Sequence, residues 1–246
     1  MKACLSIAAS LLFWSIASWL AGPALVPSPI ETGRELALLL GDSSSWRHML
    51  ITFFRGAAGL ALAVVIAFLL GVPCGLRKRA MNVLAPVVSA IQACPTIVWI
   101  SLLMVWVGIG SIVPIAAIAL SAFPVMFLNV AQGVAALDSR LFVMVRVFKV
   151  PKVRILRQLV LAGISSYALA GFSYALGICW KVTATAEFIG SASGIGSQIY
   201  WSYRFLNMPR LFCWAILLIA LGMSLEIGWI RPLRRRVGNE RKSSND

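Results

Sequence analysis

Between Asp138 and Gln158 the chain carries six basic residues, Arg140, Arg146, Lys149, Lys152, Arg154 and Arg157, interleaved with apolar ones and flanked on both sides by long apolar runs. A short helix that docks in a partner's groove needs an apolar face and charged flanks. Leu141, Val145 and Phe148, spaced i, i+4 and i+7, fall on one face of a helix. Arg146, Lys149 and Arg157 are placed to grip carboxylates of a partner. The alternative is a basic loop resting on lipid. The candidate chemistry is mechanical coupling, because a basic connector between apolar segments is a handle for something outside the bilayer.

A second set of polar residues lies in or beside apolar runs. Arg55 opens one run, Lys181 and Glu187 follow Trp180 at the end of another, and Glu226 sits deep in the last. An ionisable group at membrane depth is a functional candidate by default. Arg55 is read either as a pathway residue or as a snorkelling interfacial cation. Gln92 and Pro95 mark a bend that would free backbone carbonyls toward a cavity, with Trp99 one turn on. Lys181 is open to three readings: an anion-binding pathway residue, a partner for Glu187, or a snorkelling cation. Pairing with Glu187, six positions on, would need a kink around Thr183–Thr185. For Glu226 a structural hydrogen bond is expected, since an unpaired carboxylate in hydrocarbon is costly. The Ser191–Gly196 turn, rich in serine and glycine, offers backbone to an external partner.

Catalytic constellations are missing. The five cysteines are scattered singly through apolar segments and suit packing. His48 has no companion at metal-ligand spacing, and there is no phosphate-binding loop or nucleophile elbow. No enzyme activity and no cofactor are expected of this chain; if energy is used, another chain must bind the nucleotide.

These residues are positioned by helices in a bilayer. Of 246 residues 60% are hydrophobic and 12% charged, and the mean hydropathy is +0.90. A soluble domain carries about twice that charge fraction. Apolar segments run approximately over 5–21, 56–75, 83–107, 112–130, 159–180 and 211–230, each near the ~20 residues that span a bilayer. The reading is an all-α polytopic membrane protein with about six transmembrane helices. Most of the 22 basic residues fall at one set of helix ends if both termini are cytoplasmic. That asymmetry accounts for the net charge of +14 by topology and lipid attraction, without nucleic acid. The first segment reads as a retained helix rather than a cleaved signal peptide. Three parts are expected: 1–46, an N-terminal helix and external segment; 47–231, the transmembrane domain; and 232–246, a basic cytoplasmic tail.

From Trp46 to Ile230 the chain resembles the permease subunits of bacterial ABC importers, in the nitrate/sulfonate/taurine branch. The resemblance rests on Ser89–Gly110 (SAIQACPTIVWISLLMVWVGIG), on Ala175–Gly196 (ALGICWKVTATAEFIGSASGIG) and on the basic connector. It implies the type I importer permease fold in the bacterial inner membrane and a second permease subunit, identical or paralogous. It also implies cytoplasmic ABC ATPases and an external binding protein delivering a small, anionic solute. An ion-coupled secondary transporter is the alternative, but it would show an inverted repeat. On this resemblance Leu141, Val145, Arg146, Phe148, Lys149, Arg154 and Arg157 couple to the ATPase. Arg55, Gln92, Pro95, Trp99, Trp180, Lys181 and Glu187 belong to the solute pathway or gate. The connector departs from the family pattern: its Glu-Ala-Ala triplet falls on Val143, Met144 and Val145, its glycine on Lys149, and its proline on Ala162.

Overall fold

A computed structural model describes residues 2–22 and 24–230, with no side-chain description for residues 2–8, 146, 229 and 230. The expected basic tail, 232–246, and the side chain of Arg146 lie outside that description. Helix α1 (Lys2–Ala21) is followed by α2 (Pro29–Gly41). Ser28 starts α2 by accepting from the Glu31 amide, with Pro29 in the first turn. The longest element, α3 (Ser43–Leu76), begins at Asp42, whose carboxylate accepts from the Ser44 amide. It runs across the expected 46/47 division without a break.

Helix α3 packs along α6 (Ile112–Ala135) through a four-residue repeat of small residues, Gly59, Ala63, Ala67, Gly71 and Gly75. A Cβ on Gly59 would stand 2.7 Å from Ile118, and one on Gly75 would stand 2.5 Å from Val134. Lipid tails are as apolar as leucine, so close backbone approach and dispersion, rather than a hydrophobic drive, hold such a pair together. The core surrounds α6: Ala117, Ile118, Ala122 and Phe127 are fully buried there.

Between them stand α4 (Lys78–Ala93) and α5 (Thr96–Val107), bent by 93° at the Cys94–Pro95 break. The apolar run 83–107 is therefore a broken one, at the place where Gln92 and Pro95 mark a bend. Proline lacks an amide hydrogen and forces the preceding residue out of the helical region; Cys94 is extended, at ψ 126°.

After α6 come α7 (Ser139–Val147), α8 (Lys152–Arg154), a π-helical stretch Ile155–Val160 and α9 (Leu161–Gly163). The chain then turns by 63° into α10 (Ser165–Gly190). This helix begins and ends later than the expected 159–180. The threonines around which a Lys181–Glu187 pair would need a kink fit inside it, because Thr183 and Thr185 donate their hydroxyls to the carbonyls of Cys179 and Lys181, four residues back. Helix α11 (Ile195–Arg204) folds against the end of α10, and α12 (Met208–Leu225) ends in a π-helical stretch Glu226–Ile230. Among the described residues three helices are long and apolar enough to cross a membrane, or up to five if each of the two bent pairs is one span. With α1, the described helices account for the roughly six apolar passes expected.

Candidate functional site

The first third of α3 presents His48, Thr52 and Arg55 at i, i+4 and i+7, so all three face the end of α10 and the turn before α11. Arg55 and Glu187 form the one ion pair among the described residues, Nη1 to Oε1 at 2.9 Å, with the carboxylate fully buried. The guanidinium has five N–H groups. Nε and Nη2 donate to the Ser111 hydroxyl, Nη2 also to the Ser193 hydroxyl, and Nη1 also to the Ser193 carbonyl. Every donor is thus used within the protein.

Glu187 is equally enclosed: Oε2 accepts from the Thr52 hydroxyl at 2.8 Å and from the Gly196 amide at 3.1 Å. Thr52 Oγ1 in turn accepts from the Ile195 amide, and His48 Nδ1 accepts from the Gly194 amide. Gly194 has φ +105°, and a Cβ there would run into the Glu187 carboxylate. That position therefore requires glycine on two counts. The result is a clasp across four elements: the first third of α3, Ser111 at the start of α6, Glu187 near the end of α10, and the turn entering α11. The Gly110 amide, donating to the Gly190 carbonyl at 3.1 Å, adds a backbone rung beside it.

The sequence picked out Arg55 and Glu187 separately and left open a Lys181–Glu187 pair. That pair is not formed: α10 is unbroken at Thr183–Thr185, and the carboxylate belongs to Arg55. Because 132 positions separate Arg55 from Glu187, spacing carried no signal for their meeting. His48, Ser111 and Ser193 were missed as partners; the only hint was the helical spacing of His48, Thr52 and Arg55.

Lys181 is exposed and lines a cavity of about 270 Å³ between α10 and α12, together with Trp180, Met223 and Glu226. The Glu226 carboxylate has no hydrogen-bond partner among the described residues, so the structural bond expected for it is not formed in the single chain. It lies on the exposed side where α12 turns π-helical. Trp180 itself is 8% exposed, stacked on Phe53 and against Gly56. Gln92 and Pro95 are exposed at the α4–α5 break, and the Trp99 indole donates across that break to the Ile91 carbonyl at a long 3.4 Å.

The connector forms a helix, α7, opened by Asp138, which accepts from the Arg140 amide. Phe148 is 74% exposed, Leu141 is at the edge of exposure and Val145 is half-buried. Val143 and Val147, outside the docking face read from the sequence, are also exposed. Arg154 and Arg157 share a shallow cavity with Pro151 and Val153. Helix α7 ends in a Schellman turn, in which the Val150 amide donates to the Val145 carbonyl and Lys149 takes φ +52°. Lys149 is where the resembled family keeps its glycine.

The family described as "binding-protein-dependent transport system inner membrane component" matches residues 59–236. A protein named as an aliphatic sulfonates transport permease, SsuC of Bacillus subtilis (strain 168), is 26% identical over 99% of this chain and 88% of its own length. The taurine transport system permease protein TauC of Escherichia coli (strain K12) is 23% identical over 92% of this chain and 84% of its own. Among solved structures, a chain of the MetNI methionine ABC transporter in an inward facing conformation superposes with a TM-score of 0.61. It is 16% identical, with 78% of this chain and 94% of that one covered. At that identity the likeness is one of fold, the type I ABC importer permease fold.

Proposed function

This chain belongs to the inner membrane components of binding-protein-dependent transport systems, and from that premise we propose how it works. With a second permease, identical or paralogous, residues 47–231 enclose a route for a small anionic solute handed over by an external binding protein. Cytoplasmic ATPases holding ATP and Mg drive it through residues 138–158, and both termini face the cytoplasm. The anionic solute class follows from relatives named for sulfonates and taurine.

One observation carries the coupling route. Helices α6 and α10 each join the Arg55–Glu187 clasp at one end to the basic connector at the other. Packed helices transmit displacement because cores are bistable rather than continuously deformable. A push on α7 therefore reaches the clasp along both rods. In this reading the clasp closes the external gate, Lys181 and Trp180 meet the solute, and Gln92, Pro95 and Trp99 shape the bend beside it. Phe148, Leu141 and Val145, with Arg146, Lys149, Arg154 and Arg157, engage the ATPase.

The test is Phe148→Asp in the assembled transporter. A charge in an apolar docking face costs several kcal/mol unless compensated, so solute-stimulated ATP hydrolysis and uptake should fall together while the chain still inserts. Full uptake with normal ATPase co-purification would reduce the connector to a lipid-facing loop.

A further inference from the structure

The ends of α3 and α6, the start of α4, Ser139 and Phe142 of α7, and the start of α8 with the π-helical stretch after it line an open cleft of about 740 Å³, apart from the clasp. Its walls divide by chemistry. Arg77, Lys78 and Lys152 line it with cations, while Leu76, Phe142 and Leu156 supply apolar surface. The three cations are exposed and have no ion-pair or hydrogen-bond partner among the described residues. The acidic residue nearest to Lys152 in sequence, Asp138, accepts from the Arg140 amide in capping α7. Leu156 is set by the π-helical stretch, a rare geometry that tends to mark functional positions.

We propose that this cleft binds an anionic phospholipid, with its phosphate between Arg77, Lys78 and Lys152 and an acyl chain against Leu76, Phe142 and Leu156. Three exposed cations without an ion-pair partner attract an anion, and the adjoining apolar wall favours hydrocarbon. On the proposed topology the cleft lies at the cytoplasmic end of apolar α3, and a glycerophospholipid carries anion and hydrocarbon in one molecule. Basic pockets between helices at that level bind anionic headgroups. A lipid seated there would bridge the fixed α3–α6 pair to the segment that leads from α7 into α10, making the connector's stiffness depend on anionic lipid.

The full-length chain, purified in neutral detergent, is titrated with dioleoyl phosphatidylglycerol or dioleoyl phosphatidylcholine, and bound lipid is counted by native mass spectrometry. This readout is independent of transport, so its failure is distinct from failure of the permease reading. Phosphatidylglycerol should be retained in preference to phosphatidylcholine. Lys152→Gln should weaken it about fivefold, the worth of one cation near an anionic surface. Leu156→Trp, which fills the apolar wall at constant charge, should weaken it too, whereas Arg140→Gln, outside the cleft, should not. Equal retention of the two lipids, or equal loss in Arg140→Gln and Lys152→Gln, would overturn the proposal. Displacement of the lipid by inorganic phosphate with no effect of Leu156→Trp would also overturn it, leaving a site for a free anion. So would weaker ATPase co-purification in Lys152→Gln with lipid retention unchanged, which would make the cleft a protein contact.

Discussion

At the residue scale the decisive group is Arg55. All five of its N–H groups end on Glu187, Ser111 and Ser193, so it has no donor to spare for a solute while the clasp is closed. Removing one member of a buried pair strands the other charge, at a cost of about 3–5 kcal/mol. Arg55→Leu should therefore lower the thermal unfolding midpoint sharply. Adding Glu187→Gln should restore part of the loss, since the amide keeps acceptor capacity without charge. If the double variant unfolds no later than the single one, the pair is not what holds these helix ends. Lys181 is the opposite case: exposed, unpaired among the described residues, and facing a cavity with Glu226. A cation in low dielectric attracts an anion more strongly than in water. Lys181→Met should therefore impair uptake of an anionic solute while assembly and basal ATP hydrolysis persist. Unchanged uptake would remove Lys181 from the pathway.

At the element scale, two helices end with a non-glycine residue in the left-handed region. Lys149 follows α7, and Leu206 follows α11, where the Asn207 amide donates to the Ser202 carbonyl. A Cβ in that conformation costs roughly 1–2 kcal/mol, and glycine is the usual occupant. Lys149→Gly should raise stability by about 1 kcal/mol net of the greater freedom glycine gives the unfolded chain. A later thermal midpoint of the purified chain would register it, and an unchanged or earlier one would show that the turn is not strained. The sequence reading saw a glycine position filled by lysine but not the cost, because that cost exists only once the helix stops at Val147. The broken span is similar. Pro95 announced a bend, yet its 93° depends on what α4 and α5 pack against on either side.

At the scale of the whole molecule, orientation is the outstanding quantity. Cytoplasmic ends should be reported by tags placed after Arg79, within Lys149–Arg154 and after Arg236; reporters near Ser43 and Tyr203 should be external. Finding Lys149 and Ser43 on one side of the membrane would sink the six-pass arrangement. The sequence by itself determined the membrane class, the order of the apolar segments and roughly how many there are, the basic connector and the family. All of these are one-dimensional signals: composition, run length, charge bias and local motif. It did not determine where α10 ends, that Glu187 belongs to Arg55 rather than Lys181, or that Lys181 and Glu226 share a cavity. Nor did it show that the cations of the α3–α4 turn and of α8 meet in one cleft. Those are encounters between residues far apart in the chain. In a bilayer such encounters are fixed by how closely small residues let helices approach and by which buried polar groups find partners, and neither is written in any local stretch of sequence.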